Sequence, residues 1–131
     1  MPSDEDAMEA IVSLDNVVRD YHQGTVTLRA LQGVTLEIGR GEFVAVAGPS
    51  GSGKTTLLNV MSGLDRPTSG TIIVDGQNLG GMNGSGLSRL RLERIGFVFQ
   101  AYNLLPVLTA YENAEYVLLM QGVGQRQRRE R

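Results

Sequence analysis

One glycine-rich stretch, GPSGSGKTT at residues 48–56, limits the fold more than anything else in the chain. From Gly48 to Thr55 it fits G-x-x-x-x-G-K-[ST], a pattern that works only between a strand and a helix. Glycines at 48, 51 and 53 permit backbone angles closed to other residues, so successive N–H groups can turn inward around an anion. A helix expected to start near Gly53 adds unpaired N–H groups and the positive end of its dipole. Lys54 brings a compact charge for the outer phosphates of a nucleotide, and the Thr55 hydroxyl is placed to ligate magnesium.

The flanks agree with that reading. Phe43-Val44-Ala45-Val46-Ala47 is an apolar run of strand type after a Gly39-Arg40-Gly41 turn, and Leu57, Leu58, Val60 and Met61 give the following helix an apolar face. Lysine usage adds an independent argument. Of the twelve basic residues, Lys54 is the only lysine and the rest are arginines. An ammonium is kept for the position where a small point charge fits a phosphate cradle.

Length and composition set outer bounds. A chain of 131 residues is one domain at most and can bury a core. No apolar run approaches the ~20 residues needed to cross a bilayer, and no secretory signal is recognisable before the first strand. With no cysteine, disulfides and thiolate metal sites are excluded, and a net charge of −2 gives no reason to expect a nucleic-acid partner. Asp4, Glu5, Asp6 and Glu9 mark residues 1–10 as an acidic leader, expected to be disordered. Arg126, Arg128, Arg129 and Arg131 make the far end basic, and a solvated helix face is expected there rather than a membrane-binding patch.

Patterning predicts mixed α/β organisation without repeats. Strands are expected at 11–18, at 34–38 (where Val34, Leu36 and Ile38 alternate with Thr35 and Glu37), at 43–47, at 71–74 and at 95–99. Residues 63–70 and 77–86 read as loops, and a short helix is expected around Leu87–Arg94. Thr109-Ala110-Tyr111-Glu112 is a capping box that opens a helix to about Met120. Ile72-Ile73-Val74-Asp75 imitates the apolar strand whose terminal aspartate completes a magnesium site. Asp75-Gly76 is a turn dipeptide, however, and the hairpin reading is preferred. That leaves no second acidic magnesium ligand and no evident base for water.

The ordered set resembles the N-terminal half of an ABC-transporter ATPase subunit. It consists of Tyr21, then Ala30-Leu31-Gln32-Gly33-Val34, the loop at 48–56, Gly63-Leu64-Asp65-Arg66-Pro67-Thr68-Ser69-Gly70, Asp75-Gly76 and Ile95-Gly96-Phe97-Val98-Phe99-Gln100. Ala101-Tyr102-Asn103-Leu104-Leu105-Pro106, Leu108-Thr109-Ala110 and Glu112-Asn113 are most similar to the branch serving lipoprotein release and macrolide export. The resemblance implies a P-loop NTPase fold with an antiparallel β part, an incomplete RecA-like core and the start of a helical subdomain. It further implies that residues 11–131 are a partial ATPase domain, because the LSGGQ-type signature, the strand with the magnesium aspartate and catalytic glutamate, and the switch histidine would all follow Arg131.

Roles carry across by position. The resemblance implies an ATP site of Tyr21, Gly48, Pro49, Ser50, Gly51, Ser52, Gly53, Lys54, Thr55 and Thr56, with Tyr21 stacking on adenine. A plain strand-end tyrosine is the alternative for Tyr21. Lys54 and Gln100 are the expected catalytic residues, and Thr55 and Gln100 the expected magnesium ligands. Gln100 directly after an apolar strand could also be a simple strand terminus. Tyr102, Leu104, Leu105 and Leu108 are candidate contacts to a permease or helix-packing residues. The implied cofactors are ATP and Mg2+. The implied partners are a second ATPase subunit and a membrane permease, with the chain on the cytoplasmic face of the membrane and transport directed outward.

Catalysis in this family draws on both faces of a two-subunit sandwich. The expectation is therefore a chain that binds Mg-ATP weakly and barely hydrolyses it, with an apolar strand edge at 43–47 left unpaired. Two alternatives are a non-catalytic nucleotide-binding module and a small phosphate-loop kinase. The Gln100 segment and the Asp75-Gly76 strand have no kinase role.

Overall fold

The structure, a computed structural model, describes residues 9–131. Residues 1–8, most of the acidic leader, lie outside the described residues. Strand β1 (Ala10–Gln23) already begins at Ala10, and the Glu9 carbonyl accepts from the Arg40 N–H at 3.3 Å.

Gly24 makes the first turn. With φ of 60° it occupies the first central position of a two-residue loop, the II′ arrangement whose twist matches paired strands. It joins β1 to β2 (Val26–Gly39) as an antiparallel hairpin, with Gln23 opposite Val26 and Leu14 opposite Leu36. Both strands are longer than the sequence suggested. Residues 26–33 lack a strand signature because Arg29, Ala30 and Gly33 break the alternation that marks 34–38.

Strand β3 (Ser69–Val74) lies antiparallel on the other side of β1, and β4 (Gln77–Asn78) closes a sheet of order β2-β1-β3-β4. The turn between β3 and β4 has Asp75 at φ 47° and Gly76 at φ 73°, two successive positive angles that define a type I′ hairpin. Asp75 is thus a turn residue, and its carboxylate pairs with Arg40 at 3.1 Å.

Helix α1 (Lys54–Met61) packs on β1, β2 and β3 through Val60, which is fully buried with Leu14, Val17 and Ile72. Each such side chain contributes about 1.5–3 kcal/mol of burial. The rest of the apolar face is shallower than expected, and Leu58 remains exposed. Leu79, in a 3-10 turn at Leu79–Gly81, and Leu87, in helix α2 (Gly84–Arg94), are also buried. Asn83 caps α2 by accepting from the Gly86 N–H at 2.8 Å.

The expected strands at 43–47 and 95–99 belong to no ladder among the described residues. Phe43 and Val98 are almost wholly exposed. Their continuous apolar composition suits a parallel sheet covered on both faces, and such strands exist only with neighbours in register. The two strands expected from composition are therefore absent among the described residues.

The described residues divide into two compact units, one running to Leu87 and the other spanning Ser88–Arg131. In the second, helix α3 (Ala110–Met120) has the predicted capping box. The Thr109 hydroxyl accepts from the Glu112 N–H at 3.2 Å, and Glu112 accepts from the Thr109 N–H at 2.7 Å. Asn113 fastens the preceding loop to this helix by accepting from the Leu105 N–H and donating to the carbonyls of Leu105, Leu108 and Thr109. Helix α4 (Gln125–Glu130) carries the basic end. Arg126 and Arg129 are exposed as expected. Arg128 is not, since it pairs with Glu115 at 2.9 Å and donates to the Val123 carbonyl.

Gly70 and Gly76 separate two reasons for a glycine. At Gly76 (φ 73°) an added Cβ meets nothing within 4 Å, whereas at Gly70 (φ 91°) it would lie 2.5 Å from the Asn16 carbonyl oxygen at a bulge of β1. Gly76→Ala is expected to cost about 1–2 kcal/mol, the left-handed strain alone. Gly70→Ala should cost distinctly more in urea unfolding, because β3 must separate from β1; equal costs would contradict this packing.

Candidate functional site

Residues 48–56 form a loop, exposed up to Ser52 and half-buried at Gly53, Lys54 and Thr56, that ends in the first turn of α1. Gly51 (φ 80°) and Gly53 (φ 93°) hold left-handed angles, and Gly48 does not. The glycine pattern therefore has two origins. Gly51 supplies a backbone angle with open space around it. Gly53 supplies an angle and a close approach, since a Cβ there would fall 2.6 Å from the Ala30 carbonyl oxygen on β2. Gly48 gives room, because a Cβ there would lie 2.7 Å from Ser52 Oγ.

The loop folds back on its own lysine. Lys54 Nζ donates to the carbonyls of Gly48 at 2.6 Å and Pro49 at 2.7 Å, with Ser52 Oγ at 3.4 Å. Within the loop the Ser52 N–H closes a turn onto the Pro49 carbonyl, and the first helical bond runs from the Leu57 N–H to the Gly53 carbonyl. The N–H groups of Gly51, Gly53, Lys54, Thr55 and Thr56 are left without a partner among the described residues. They lie at the positive end of α1. A hollow of about 350 Å³ is lined by Ser50, Gly51, Gly53, Lys54 and Thr55, with no acidic side chain in its wall. Donors, one cation and a hydroxyl suit a multiply charged oxyanion.

No group of three or more His, Cys, Asp or Glu among the described residues could hold a metal ion. The donor set instead fits an ion held mostly by phosphate oxygens and water, which is how magnesium commonly binds. Thr55, exposed on the first helical turn, can give such an ion one protein oxygen. Gln100 lies in the second compact unit, exposed, directly after 95–99. Tyr102 and Leu104 are exposed as well, Leu105 less so, and Leu108 is half-buried.

Tyr21 is half-buried near the tip of the β1–β2 hairpin, opposite Leu28. Its hydroxyl donates to Asp65 Oδ2 at 2.9 Å, and the same oxygen accepts from Arg19 Nε at 2.8 Å. The Arg19 guanidinium also lies 4.5 Å from the centre of the Tyr21 ring. Burial pushes the Asp65 carboxyl up, but the Arg66 N–H, the Tyr21 hydroxyl and Arg19 outweigh it and hold Asp65 below the usual carboxylate range. The Arg19–Asp65 attachment was not legible beforehand, because 46 residues separate the partners. His22, beside Tyr21, shares a 3.0 Å hydrogen bond with the Thr27 hydroxyl across the hairpin.

A family model described as ABC transporter matches residues 31–131. An uncharacterized ABC transporter ATP-binding protein of Thermotoga maritima is 44% identical over 124 residues, 95% of this chain and 53% of that protein. A macrolide export ATP-binding/permease protein of Brucella abortus, MacB, is 42% identical over 121 residues, 92% of this chain and 19% of that protein. Among solved structures, the ATP-binding cassette MJ0796, described as dimeric in a post-hydrolysis state and bound to ADP and Pi, superposes with a TM-score of 0.85. That match has 43% identity and covers 91% of this chain and 53% of the cassette. The chain thus spans about half the length of the single-cassette relatives it matches.

Two kinds of glycine in one loop give a structural test. Gly53→Ala is expected to displace β2 at Ala30 and Leu31, seen as amide chemical-shift changes there. Gly51→Ala, with nothing within 4 Å of its Cβ, should leave those amides in place. Undisturbed Ala30 and Leu31 signals in Gly53→Ala would contradict the close approach.

Proposed function

The chain belongs to the ABC transporter family, and from that premise we propose that it binds Mg-ATP through residues 48–56 as part of a subunit that couples ATP hydrolysis to a membrane permease. The observation that carries the reading is the ring closed by Lys54 on the carbonyls of Gly48 and Pro49. Beside that ring, the first-turn N–H groups of α1 face no partner within the described chain. Those N–H groups take the β- and γ-phosphates, with Lys54 as the point charge near the transferred group.

A bound magnesium would offset charge on the phosphates; Thr55 would give it one oxygen from the loop, and Gln100, on the family resemblance alone, is the other proposed ligand. Tyr21 gives an aromatic surface for adenine. The hollow at 48–55 has no acidic wall, so these residues grip the nucleotide without offering a base for water. Hydrolysis then depends on the opposing face of a second ATPase subunit, an arrangement supported by the dimeric cassette's likeness to this chain. The macrolide-export relatives support a permease partner and outward transport. With such a partner the chain lies on the cytoplasmic side of the membrane. No helix among the described residues is long and apolar enough to cross it.

Calorimetric titration of wild type and Lys54→Ala with ATP and magnesium tests the binding. Lys54→Ala is expected to lose at least about tenfold in affinity, the size of one charge-assisted contact; equal affinity removes the loop from the account. Turnover by the 131-residue chain alone should fall far below the roughly 1 per second reached by kinases. A rate at or above that level would show that these residues carry the whole chemistry.

A further inference from the structure

Tyr21 is held more firmly than a strand-end aromatic requires. Asp65 Oδ2 takes hydrogen bonds from both the Tyr21 hydroxyl and Arg19 Nε. Asp65 is itself anchored: Oδ1 accepts from the Arg66 N–H at 2.8 Å, and its own N–H donates to the Asn59 carbonyl at 3.1 Å. The phenol end of the ring is therefore tied to the loop after α1, and α1 begins at the phosphate-binding loop. Arg19 meanwhile covers one ring face, its guanidinium carbon 4.5 Å from the centroid. With one face covered and one end pinned, a flat ligand would have to stack on the opposite face.

We propose that Arg19 and Asp65 are positioning residues for the nucleotide base, fixing the Tyr21 ring so that its remaining face is presented as a preformed stacking surface. The inference rests on the proposed function, since it needs a nucleotide in the loop at 48–56, and it adds the two residues that set the base subsite. The physical gain is preorganisation. A ring already ordered in the free protein loses less side-chain freedom when a base stacks on it. The clamp persists through ordinary pH, because Asp65 is held ionised below the usual carboxylate range and a guanidinium does not deprotonate in proteins.

The test compares ATP with inorganic tripolyphosphate, which has the phosphates and no base, by titration of the full 131-residue chain with magnesium present. Arg19→Leu and Asp65→Asn are expected to weaken ATP about fivefold, the scale of one ordered side chain, and to leave tripolyphosphate unchanged. In a Tyr21→Leu background, Arg19→Leu should have no further effect on ATP. Tyr21→Phe keeps the ring and loses only the tether, so it too should weaken ATP alone. This variant carries the test if the charge substitutions fail to fold.

Equal loss for ATP and tripolyphosphate in Arg19→Leu would make the pair merely structural and overturn the proposal. So would an unchanged ATP affinity in Arg19→Leu and Tyr21→Phe, or a further loss in the Tyr21→Leu background. A wild type that binds tripolyphosphate as tightly as ATP removes the base subsite while leaving the phosphate loop intact. A wild type that binds neither removes both.

Discussion

The Lys54 ammonium, folded back onto the carbonyls of Gly48 and Pro49, closes the loop on which the site depends. A lone cation in an exposed loop ordinarily spends its time in water. Here the side chain has two short carbonyl contacts, and the loop is bent so that a ring of atoms surrounds the charge. That bend is possible because Gly51 and Gly53 hold left-handed angles. It is anchored because Gly53 lies against the Ala30 carbonyl of β2, where any side chain would collide. Helix α1 leaves that corner with its first N–H groups pointed back toward the loop, so cation and dipole act on the same small volume.

What holds the corner in place is the antiparallel sheet and the buried face of α1. Val60 fixes the helix against Leu14, Val17 and Ile72, and β1 carries both the bulge that receives Gly70 and, farther on, the Arg19–Tyr21 pair. Asp65 joins that pair to the loop that follows the helix. The two ends of α1 are thus each tied to the β1–β2 hairpin, one through Gly53 and Ala30, the other through Asp65. A rigid hairpin and a short helix suffice to keep a phosphate loop and an aromatic ring in one compact unit.

The features legible in the sequence were those written locally. The loop pattern at 48–56, the Asp75-Gly76 turn and the Thr109–Glu112 capping box each depend on neighbours a few residues away, and each is present. Strand type at 43–47 and 95–99 was read from composition, but strand pairing depends on distant segments, and neither run joins a ladder among the described residues. Residues 26–33 carry no strand pattern of their own, because a hairpin edge strand tolerates Arg29, Ala30 and Gly33 once Gly24 has set the register. Arg128 read as one of several solvated arginines and instead packs against Glu115, a contact between two helices. Within the site, spacing gave the phosphate residues and resemblance gave Tyr21. Arg19 and Asp65 emerged only from the fold, which brings residues 19, 21 and 65 to one carboxylate oxygen.

The central claim is that the main-chain amides at the start of α1, with Lys54, grip a polyphosphate. Amide chemical shifts recorded during addition of tripolyphosphate and magnesium test it without reference to base, partner or turnover. Large, saturable shifts confined to Gly51, Gly53, Lys54, Thr55 and Thr56 are the predicted result. Shifts spread over the arginine-bearing surfaces of α2 and α4, with those five amides unmoved, would contradict the account.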